Sequence, residues 1–579
     1  HPNARVFVTH GGMLGTQESI YHGVPLLGLP FGNDQRANVA RAVRDGWGLK
    51  LDWDKVNDHV LDGAIRHLIN DPSVKANVTK WSQLMHDEIM PGKEVAAYWI
   101  EYVIRHGGTK HLQLASKNMP FYQRNLIDVA FFLGVIASLF LLIVFMLTHA
   151  LLQCYRKRTS EKQKKHEMFY FNKIIFNTMC SSFSLTTHTD GSNSKFLKNQ
   201  SSQLNTGVFH FGKAHQLVTT IIVSSIRNTM RLQLITLVVL SALATESCMG
   251  ERIVVLYPAG AKSHFYAVMP LLEELAERGH NLTVFSPYKG ITKTIKDATE
   301  IFLASIAQKV DTIDIDWFGM QKQGSKQFFT MMRIMTDLSV LACEGTVTNP
   351  EFQNVIKNRD VDLFIVDAFG HEFIYPIIHK IGIPFVIHGS SSPLQTTLDA
   401  MGAPKEYASV PAMPLDFDNH MNFFQRLVNV VLGEALKLMR NILIIAKLDA
   451  IVQREFPGVK TIQEVEGEAS LYISNAHAIT NWPRSLPPTV LTIGAIHARP
   501  AKQLPPKFKV FADEAKDGFI VFTLGSFVSV SSMPQDLVDT FMRVFSKLPQ
   551  RVIWKWEAAI PDNIPPNIMM VDWLPQQDL

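Results

Sequence analysis

Cysteine is scarce in this chain of 579 residues, which contains only four. Cys154, Cys180, Cys248 and Cys343 form no Cys-x-x-Cys pair, and Cys343 alone falls in sequence with a globular pattern. A disulfide framework and a structural zinc site each need several cysteines at short spacings. We therefore predict neither, and because no other cluster of metal ligands is evident we predict no metal and no resident cofactor.

Excess charge is also nearly absent, since 56 Lys and Arg residues accompany 52 Asp and Glu residues, for a net charge of +4. Nucleic-acid-binding proteins usually carry a basic stripe or interleaved basic and aromatic residues. The segments with a globular pattern have neither, so nucleic acid is excluded as a predicted partner. The hydrophobic share of 47% lies slightly above that of an average soluble protein, as expected when membrane segments are diluted into globular sequence.

One apolar run, residues 126–152, is long enough to cross a bilayer and contains Asp128 as its one charged residue. The basic stretch "CYRKRTSEKQKK" follows, within residues 153–167. Because positive flanks favour the cytosolic side, we predict a transmembrane helix, a cytosolic tail and a lumenal or outer location for residues 1–124. The alternative is a buried core helix, which seldom runs this far without a polar face.

Two unusual segments follow the tail. Residues 168–229 are rich in Ser, Thr and Asn without a sustained period, which predicts a disordered spacer. Residues 230–250, "MRLQLITLVVLSALATESCMG", combine Arg231, a short apolar core and the small-residue pattern Ala-Leu-Ala. That is the anatomy of a secretory signal peptide, found here in the middle of a chain.

The remaining sequence alternates strand and helix patterns. Residues 251–480 contain buried strands such as "RIVVLYP" and "VDLFIVDAF" with amphipathic helices between them, which predicts an open parallel sheet. A Pro-rich stretch from Trp482 predicts a linker. Residues 481–579 then begin a second α/β unit with "GFIVFTLGS", "RVIWKW" and "IMMVDWLP", and residues 1–115 supply the same pattern without a beginning. The fold class is therefore α/β.

The two ends of the chain complement each other. Placed end to end they give "WLPQQDL…HPNARVFVTHGGMLGTQESIYHGVPLLGLPFGNDQ", which closely resembles the long signature of the UDP-glycosyltransferases, a family that includes UDP-glucuronosyltransferases. The resemblance covers residues 1–167 and 230–579. The phrase "WIEYVIRHGGTKHL" and the apolar run with its basic tail are similar to membrane-anchored animal members.

The resemblance implies a GT-B-like pair of Rossmann-type domains, with residues 251–480 binding the acceptor and residues 481–579 and 1–115 together binding the UDP-sugar donor. The order is rotated relative to the family. Our hypothesis is a fused tandem gene model, in which "KKHE" ending at Glu167 is similar to a dilysine retrieval tail and Met230 begins the next copy. The alternative is a true circular permutant.

Two residues are candidates for acid–base chemistry. His264 lies between the first strand and the first helix of the 251–480 unit, where open parallel sheets bind ligands, and a histidine there can accept a proton near neutral pH. Asp367 ends the strand "LFIVD", where a carboxylate can orient an imidazole. The structural alternatives are a helix-capping histidine and a helix N-cap aspartate. In the resembled family the residues at these positions form the catalytic dyad.

The donor candidates come from both ends of the chain. His10, Gly11 and Gly12 lie at a strand-to-helix turn, where glycine permits close backbone approach and a helix N-terminus offers free N–H groups to a diphosphate. Gly525 and Ser526 form a second such turn. By themselves these patterns are equally typical of tight turns.

The remaining donor candidates depend more on the resemblance. Glu18 can accept hydrogen bonds from two ribose hydroxyls, Trp573 can stack on uracil and Gln576 can bind a polar edge nearby. Asp34 and Gln35 match the family pair that contacts sugar hydroxyls. Without that resemblance, Glu18 is typical of a solvated helix, Trp573 of a half-buried core aromatic, and the Asp-Gln pair of a helix start.

Two positions depart from the family pattern. Leu14 stands where many members have Asn, so one hydrogen bond to the diphosphate is absent or supplied by another residue. Lys555 in "VIWKWE" replaces the common Arg, which exchanges a bidentate donor for a point charge.

The function implied by the resemblance is transfer of a hexosyl or glucuronosyl group, with inversion, from UDP-glucose or UDP-glucuronate to a hydroxyl of a small lipophilic acceptor. The UDP-sugar is a co-substrate, and membrane lipid is the other expected partner. The predicted location is the endoplasmic reticulum membrane, single-pass with lumenal catalytic domains. The alternative is a catalytically dead membrane protein, or a mis-joined product of two tandem genes with at most apolar-ligand binding.

Overall fold

Two parallel β-sheets organise the region in which the predicted sites lie. The computed structural model describes residues 1–175 and 250–579, except for 260, 311–314, 324–325, 414, 527 and 529. Residues 1–118 and 248–579 form one unit, and residues 119–247 belong to a second. The signal-peptide-like segment, apart from Gly250, and most of the predicted spacer lie outside the described residues.

The first sheet, which we call the donor sheet, is built from both ends of the chain. Its strands are β1 (Ala4–Thr9), β2 (Leu26–Gly28), β3 (Gly48–Lys50), β11 (Phe519–Thr523), β12 (Arg551–Lys555) and β13 (Ile568–Val571). Their order is β13-β12-β11-β1-β2-β3, and all neighbours are parallel. Thr9 pairs with Thr523, and the His1 ammonium donates to the carbonyl oxygen of Leu579 at 2.7 Å. The prediction that the two ends lie side by side is confirmed.

The second sheet, which we call the acceptor sheet, comes from the middle of the chain. Its strands are β4 (Arg252–Leu256), β5 (Asn281–Ser286), β6 (Thr299–Phe302), β7 (Leu363–Asp367), β8 (Phe385–Gly389), β9 (Leu471–Ser474) and β10 (Val490–Thr492). The order is β10-β9-β8-β7-β4-β5-β6, again entirely parallel. Runs of Val, Ile, Leu and Phe buried on both faces explain why these segments form strands.

Both sheets have doubly wound topology. If the donor strands are counted from β11 through β13 and on to β1 through β3, the order becomes 3-2-1-4-5-6, and the acceptor sheet has the same order with one strand added. In such sheets the strand order reverses at one point, and ligands bind there at the carboxyl ends of the strands. The reversal falls between β11 and β1 in the donor sheet and between β4 and β7 in the acceptor sheet.

The described part of the chain also forms helices, of which the two between residues 119 and 175 belong to the second unit and the others to the first. They are α1 (Met13–Tyr21), α2 (Asp34–Arg44), α3 (Asp58–Asn70), α4 (Pro72–His86), α5 (Gly92–His106), α6 (Phe121–Arg124), α7 (Ile127–Ile175), α8 (Lys262–Glu277), α9 (Ala304–Val310), α10 (Trp317–Gln321), α11 (Lys326–Val347), α12 (Pro350–Asn358), α13 (Ile374–Ile381), α14 (Gln395–Ala400), α15 (Phe423–Arg440), α16 (Ala446–Glu455), α17 (Ile462–Val465), α18 (Pro506–Asp513) and α19 (Gln535–Ser546). In the donor core, the ring of Phe522 stacks on Trp554 at 5.1 Å.

The two halves exchange helices. The buried face of α5 packs in the acceptor core with residues of β4 and α8, and Lys93 at its start pairs with Glu274 at 2.8 Å. Conversely, Trp317 and Phe318 of α10 pack in the donor core, where the Phe318 ring lies 5.1 Å from that of Phe31. The predicted division at residue 115 placed α5 with the donor half, whereas in the structure it covers the acceptor sheet.

The predicted boundary at residue 480 also falls before the end of the acceptor sheet. Strand β10, Val490–Thr492, pairs in parallel with β9, so this sheet extends into the stretch predicted to be a linker. A three-residue strand that closely follows Pro487 and Pro488 has too few residues to show a period of two, so no sequence pattern predicted it.

The second unit contains α7, which runs from Ile127 to Ile175. Its segment Ile127–Gln153 has a mean hydropathy of 2.9 and is long and apolar enough to cross a membrane, by length and composition. Residues 168–175 continue the helix, which corrects the prediction that the disordered spacer begins at residue 168.

Candidate active site

His264 and Asp367 meet where the acceptor sheet reverses its strand order. Asp367 is the last residue of β7, and His264 lies in the first turn of α8, after β4, rather than in the preceding loop as predicted. His264 Nδ1 lies 3.2 Å from Asp367 Oδ2. The histidine side chain is 25% exposed and the aspartate 1%. Because Nδ1 faces the carboxylate, Nε2 is the ring nitrogen left to accept a proton.

The pair is electrostatically coupled. Burial opposes the charged imidazolium, but the charge and hydrogen bond of Asp367 outweigh it and raise the pKa of His264 above its ordinary value. Burial would raise the pKa of Asp367, yet the charge and hydrogen bond of His264, together with His371, hold it well below its usual range. Asp367 is therefore ionised at neutral pH, and a proton taken up by His264 is stabilised.

A second histidine, His371, lies close to the same carboxylate oxygen as His264. The Ala259 N–H donates to His371 Nε2 at 3.1 Å, so in the neutral ring the proton resides on Nδ1. That nitrogen lies 3.2 Å from Asp367 Oδ2, although the angle is poor for a hydrogen bond. The side chain is 1% exposed. His371 thus lies within 3.2 Å of the carboxylate that faces His264, and its charge and position contribute to the low pKa of Asp367.

His10 occupies the corresponding reversal point of the donor sheet, after β1. Its ring fills the space beside two glycines, since a Cβ on Gly12 would lie 2.6 Å from His10 Nε2 and a Cβ on Gly525 would lie 2.8 Å from His10 Cε1. Gly525 also has φ +76°, which favours glycine. One glycine comes from each end of the chain, so the two ends jointly enclose the ring. Burial, reinforced by the positive charge of Lys555, lowers the pKa of His10 to about 4.

The turn before α1 gives the backbone room to approach a ligand. Gly11 has φ +80°, and a Cβ there would overlap Val39. Gly12 precedes the helix without a side-chain cap, and the first amides of a helix have no partner within it. Ser526 is exposed in the neighbouring turn. Lys555 Nζ donates to the carbonyl oxygen of Gly525 at 2.8 Å, so the lysine holds this turn.

Glu18 lies on α1 and is 8% exposed. Its carboxylate accepts a hydrogen bond from the Gln576 side chain, and His497 Nε2 lies 3.6 Å from its other oxygen. Burial raises the pKa of Glu18 to about 7, despite the opposing hydrogen bonds of Gln576 and Gln577. The structure therefore brings two predicted donor residues from opposite ends of the chain into direct contact.

Asp34 and Gln35 begin α2 beside the cleft between the sheets. Burial raises the pKa of Asp34, opposed by a hydrogen bond from Asn38 and by the charge of His264. The residue before it, Asn33, has φ 52°, a backbone conformation that costs energy outside glycine. Gln35 Oε1 accepts from the Phe31 amide at 2.8 Å, which leaves the Gln35 amide group to contact a ligand.

Trp573 follows β13 and is 62% exposed, so its ring is available for stacking.

Leu14 stands where many members of the resembled family have Asn. Its carbonyl oxygen lies 3.2 Å from His497 Nε2 and accepts a hydrogen bond from it. Burial lowers the pKa of His497 to about 4, so this ring is neutral and donates from Nε2.

A cavity of about 470 Å³ lies between the two halves. Its walls include Asp34 from the donor half and Phe369 from the acceptor half, and the Phe369 ring lies 6.2 Å from that of His264. A larger cavity of about 680 Å³ opens beside β5 and β6 and contains none of the predicted site residues. The first cavity is therefore the candidate substrate site. Within the described residues, no group of three or more His, Cys, Asp or Glu is placed to hold a metal ion.

The sequence profile of one family, described as UDP-glucoronosyl and UDP-glucosyl transferase, matches residues 1–165 and 253–579. The chain belongs to this family. The match omits the spacer and the whole signal-peptide-like segment, so it follows the two sheets and the apolar helix. Both halves of the candidate active site fall inside the matched residues.

Individual relatives of this UDP-glycosyltransferase chain cover it less completely. A UDP-glycosyltransferase UGT5 of Dactylopius coccus is 29% identical over 333 residues, which are 56% of this chain and 62% of the relative. UDP-glucuronosyltransferase 2B17 of Homo sapiens is 39% identical over 168 residues, 28% of this chain and 31% of the relative. The glycotransferase of kitacinnamycin, a solved structure, has a TM-score of 0.35 at 15% identity and covers 56% of this chain and 72% of its own.

Some residues of this family member's site were not found from sequence. His371 follows Asp367 by four residues, a spacing that gives a usable signal only once the strand is known to end at Asp367. Arg484 and Glu372 line the candidate cavity. Arg484 lies in the Pro-rich stretch predicted to be a linker, where no pattern distinguishes it.

Proposed function

We propose that this chain transfers a sugar from UDP-glucose or UDP-glucuronate to the hydroxyl of a small lipophilic acceptor, with inversion at the anomeric carbon. Family membership supports a UDP-sugar as the donor. The observation that carries the proposal is the pairing of His264 with Asp367 at 3.2 Å. The pair lies near the cavity shared by both halves, because the cavity wall includes Phe369, whose ring is 6.2 Å from that of His264.

His264 is the proposed general base. The acceptor hydroxyl gives its proton to His264 Nε2 as its oxygen bonds to the anomeric carbon, and the bond from that carbon to the phosphate oxygen breaks. UDP leaves with the bonding electrons. The charge of Asp367 stabilises the resulting imidazolium, and such proton transfer typically contributes about 10²–10⁴ in rate.

The donor is proposed to bind at the reversal point of the donor sheet. Gly11, Gly12 and Ser526 lie where backbone amides can approach a diphosphate, and Glu18 with Gln576 would hold the ribose. Trp573 would stack on uracil, with His10 as a neutral donor beside the phosphates, while Asp34 and Gln35 would contact the sugar.

The cellular setting is also part of the proposal. The apolar segment Ile127–Gln153 of α7 would anchor the protein in the membrane of the endoplasmic reticulum, with the catalytic unit on the lumenal side. Its support is the length and hydropathy of that segment together with the family of membrane-anchored enzymes that the sequence resembles.

Turnover assays test the proposal. Purified chain is incubated with a phenol acceptor and either UDP-glucose or UDP-glucuronate, and UDP release and glycoside are both measured. We expect product with at least one donor and a loss of about 10²–10⁴ in kcat for His264→Ala. Arg333→Gln, at an arginine that is 84% exposed on α11, is the matched control. Absence of turnover with both donors would support the catalytically dead alternative, and unchanged turnover in His264→Ala would refute the base assignment.

A further inference from the structure

The candidate cavity is apolar along one wall and cationic elsewhere. A face of α11 contributes Met331, Met332 and Met335, which suits an apolar, adaptable ligand surface. Of the acidic and basic residues that line the cavity, four are cations and two are anions: Arg36, Lys437, Arg440 and Arg484 against Asp34 and Glu372. The ionisable side chains of the lining therefore carry an excess of positive charge.

Two of the four cations are already paired. Lys437 Nζ lies 2.6 Å from Asp399 Oδ2. Arg440 lies 3.0 Å from Glu372 and 3.0 Å from Glu466. These side chains are therefore neutralised by the protein.

The other two differ in their location. Arg36 lies on α2 in the donor half, directly after Asp34 and Gln35. Arg484 belongs to the loop before β10 in the acceptor half. Of the two, Arg484 is therefore the one in the half that carries His264.

Arg484 is half-buried and poorly satisfied. Among the described residues its guanidinium makes one hydrogen bond, to the carbonyl oxygen of Pro393 at 3.5 Å, and no ion pair. The carboxylate of Glu406 attracts the guanidinium electrostatically, but it forms no ion pair with it among the described residues. Its oxygens instead accept hydrogen bonds from the backbone and hydroxyl of Ser485 at 3.0 and 2.9 Å. A guanidinium has five N–H donors, and leaving a buried charged donor unpaired is costly.

We propose that Arg484 binds a carboxylate on the acceptor, so that the preferred acceptors are apolar hydroxy acids whose hydroxyl faces His264. This inference rests on the proposed function. A carboxylate suits the planar fork of arginine, with which it forms two parallel hydrogen bonds. The cavity volume of about 470 Å³ is within the range of small-molecule sites, and its wall extends from Pro393 beside Arg484 to Phe369 beside His264.

The test compares two acceptors that differ in one charge. 6-Hydroxy-2-naphthoic acid and its methyl ester share the ring system and the hydroxyl, so the ratio of their kcat/KM values isolates the carboxylate. We expect the wild-type chain to prefer the acid, and Arg484→Gln to reduce the acid-to-ester ratio about tenfold or more, chiefly through KM for the acid. Arg484→Lys, which retains the charge without the fork, should give an intermediate ratio.

Three results would overturn the inference. One is an unchanged acid-to-ester ratio in both Arg484 variants. Another is a rise in KM for the UDP-sugar with no change in that ratio, which would assign Arg484 to the donor. The third is an equal ratio change in Arg333→Gln, which would indicate a general charge effect.

Calorimetric binding of the acid to the wild-type chain and to Arg484→Gln separates this inference from the proposed function. Loss of acid binding in the variant would support the carboxylate site even if no turnover is seen with either donor. Equal binding of the acid to both proteins would refute the site, whatever the turnover result.

Discussion

Two histidines, His264 and His10, stand where the two sheets reverse their strand order, and their environments are opposite. His264 lies 3.2 Å from a buried carboxylate that raises its pKa. His10 is enclosed by backbone and by Lys555, and burial lowers its pKa to about 4. The same residue type, placed beside the strand-order reversal of each sheet, therefore has a raised pKa in one half and a lowered pKa, which leaves it neutral near pH 7, in the other.

The comparison shows that the sheet topology determines where each histidine lies, whereas the neighbouring residues determine the pKa of its ring. Burial alone disfavours the charged form of both rings. One carboxylate, Asp367, reverses the outcome in the acceptor half, whereas the donor half supplies a cation and two glycines. On the proposed function, the half that takes up a proton would depend on the charge of Asp367, and the half that binds the diphosphate would depend on close backbone approach at the glycines.

Asp367→Asn should have the largest effect, because it removes the charge that distinguishes the surroundings of His264 from those of His10. We expect kcat to fall by about 10²–10⁴. The base must be neutral to act, so activity rises with pH through the pKa of His264. Loss of the carboxylate lowers that pKa, and the acidic limb of the pH–rate profile should move to lower pH. Asp337→Asn, at an aspartate that is 64% exposed, is the control; an unshifted limb would contradict the coupling.

Gly11→Ala tests whether the donor half depends on backbone approach. Its φ of +80° and the overlap of an added Cβ with Val39 should lower the free energy of unfolding by about 2–4 kcal/mol and weaken UDP binding. Gly63→Ala is the matched control, because nothing lies within 4 Å of its Cβ position, and there alanine should stabilise α3 by about 0.5–1 kcal/mol. Denaturant unfolding and UDP calorimetry measure both effects, and equal stability of the two variants would refute the argument.

The smallest expected effect concerns the titration of Glu18 in the donor half. Glu18 has a pKa raised to about 7, so it is largely protonated below that pH and ionised above it. An ionised carboxylate accepts hydrogen bonds from ribose hydroxyls more strongly than a protonated one. KM for the UDP-sugar should therefore fall about fivefold between about pH 6 and about pH 8. Glu18→Gln should abolish this dependence, and its persistence in that variant would assign it to another group.

Sequence patterns predicted the parts of the fold that depend on neighbours along the chain. The run "GFIVFTLGS" contains β11, Phe519–Thr523, and "RVIWKW" contains β12, Arg551–Lys555. The pairing of β1 with β11 followed from the family signature split between the two ends. Periodicity did not predict that α5 covers the acceptor sheet, because an amphipathic helix shows that it has an apolar face and not which surface that face meets.

The candidate site likewise contains some residues that sequence patterns mark and others that they do not. His264, Asp367 and the glycine turns lie directly after strands, and this position marks them in the sequence. The roles of Arg484 and His371 depend on partners more than 90 residues away, Pro393 and Ala259 respectively, as the sequence separations of 91 and 112 show. No local pattern encodes such contacts.

The exchange of helices constrains how the cleft opens. The chain crosses between the two cores near Gly92, where a Cβ would lie 2.8 Å from Ile496 Cγ2 of the returning crossing. The two chain crossings therefore lie side by side. Trp317 and Phe318 belong to a segment of the acceptor half but pack in the donor core, where they are 3% and 4% exposed. Any separation of the two halves would expose these two rings to water, so their burial favours the closed arrangement. On the proposed function, release of UDP would then need a conformational step that is separate from bond breaking.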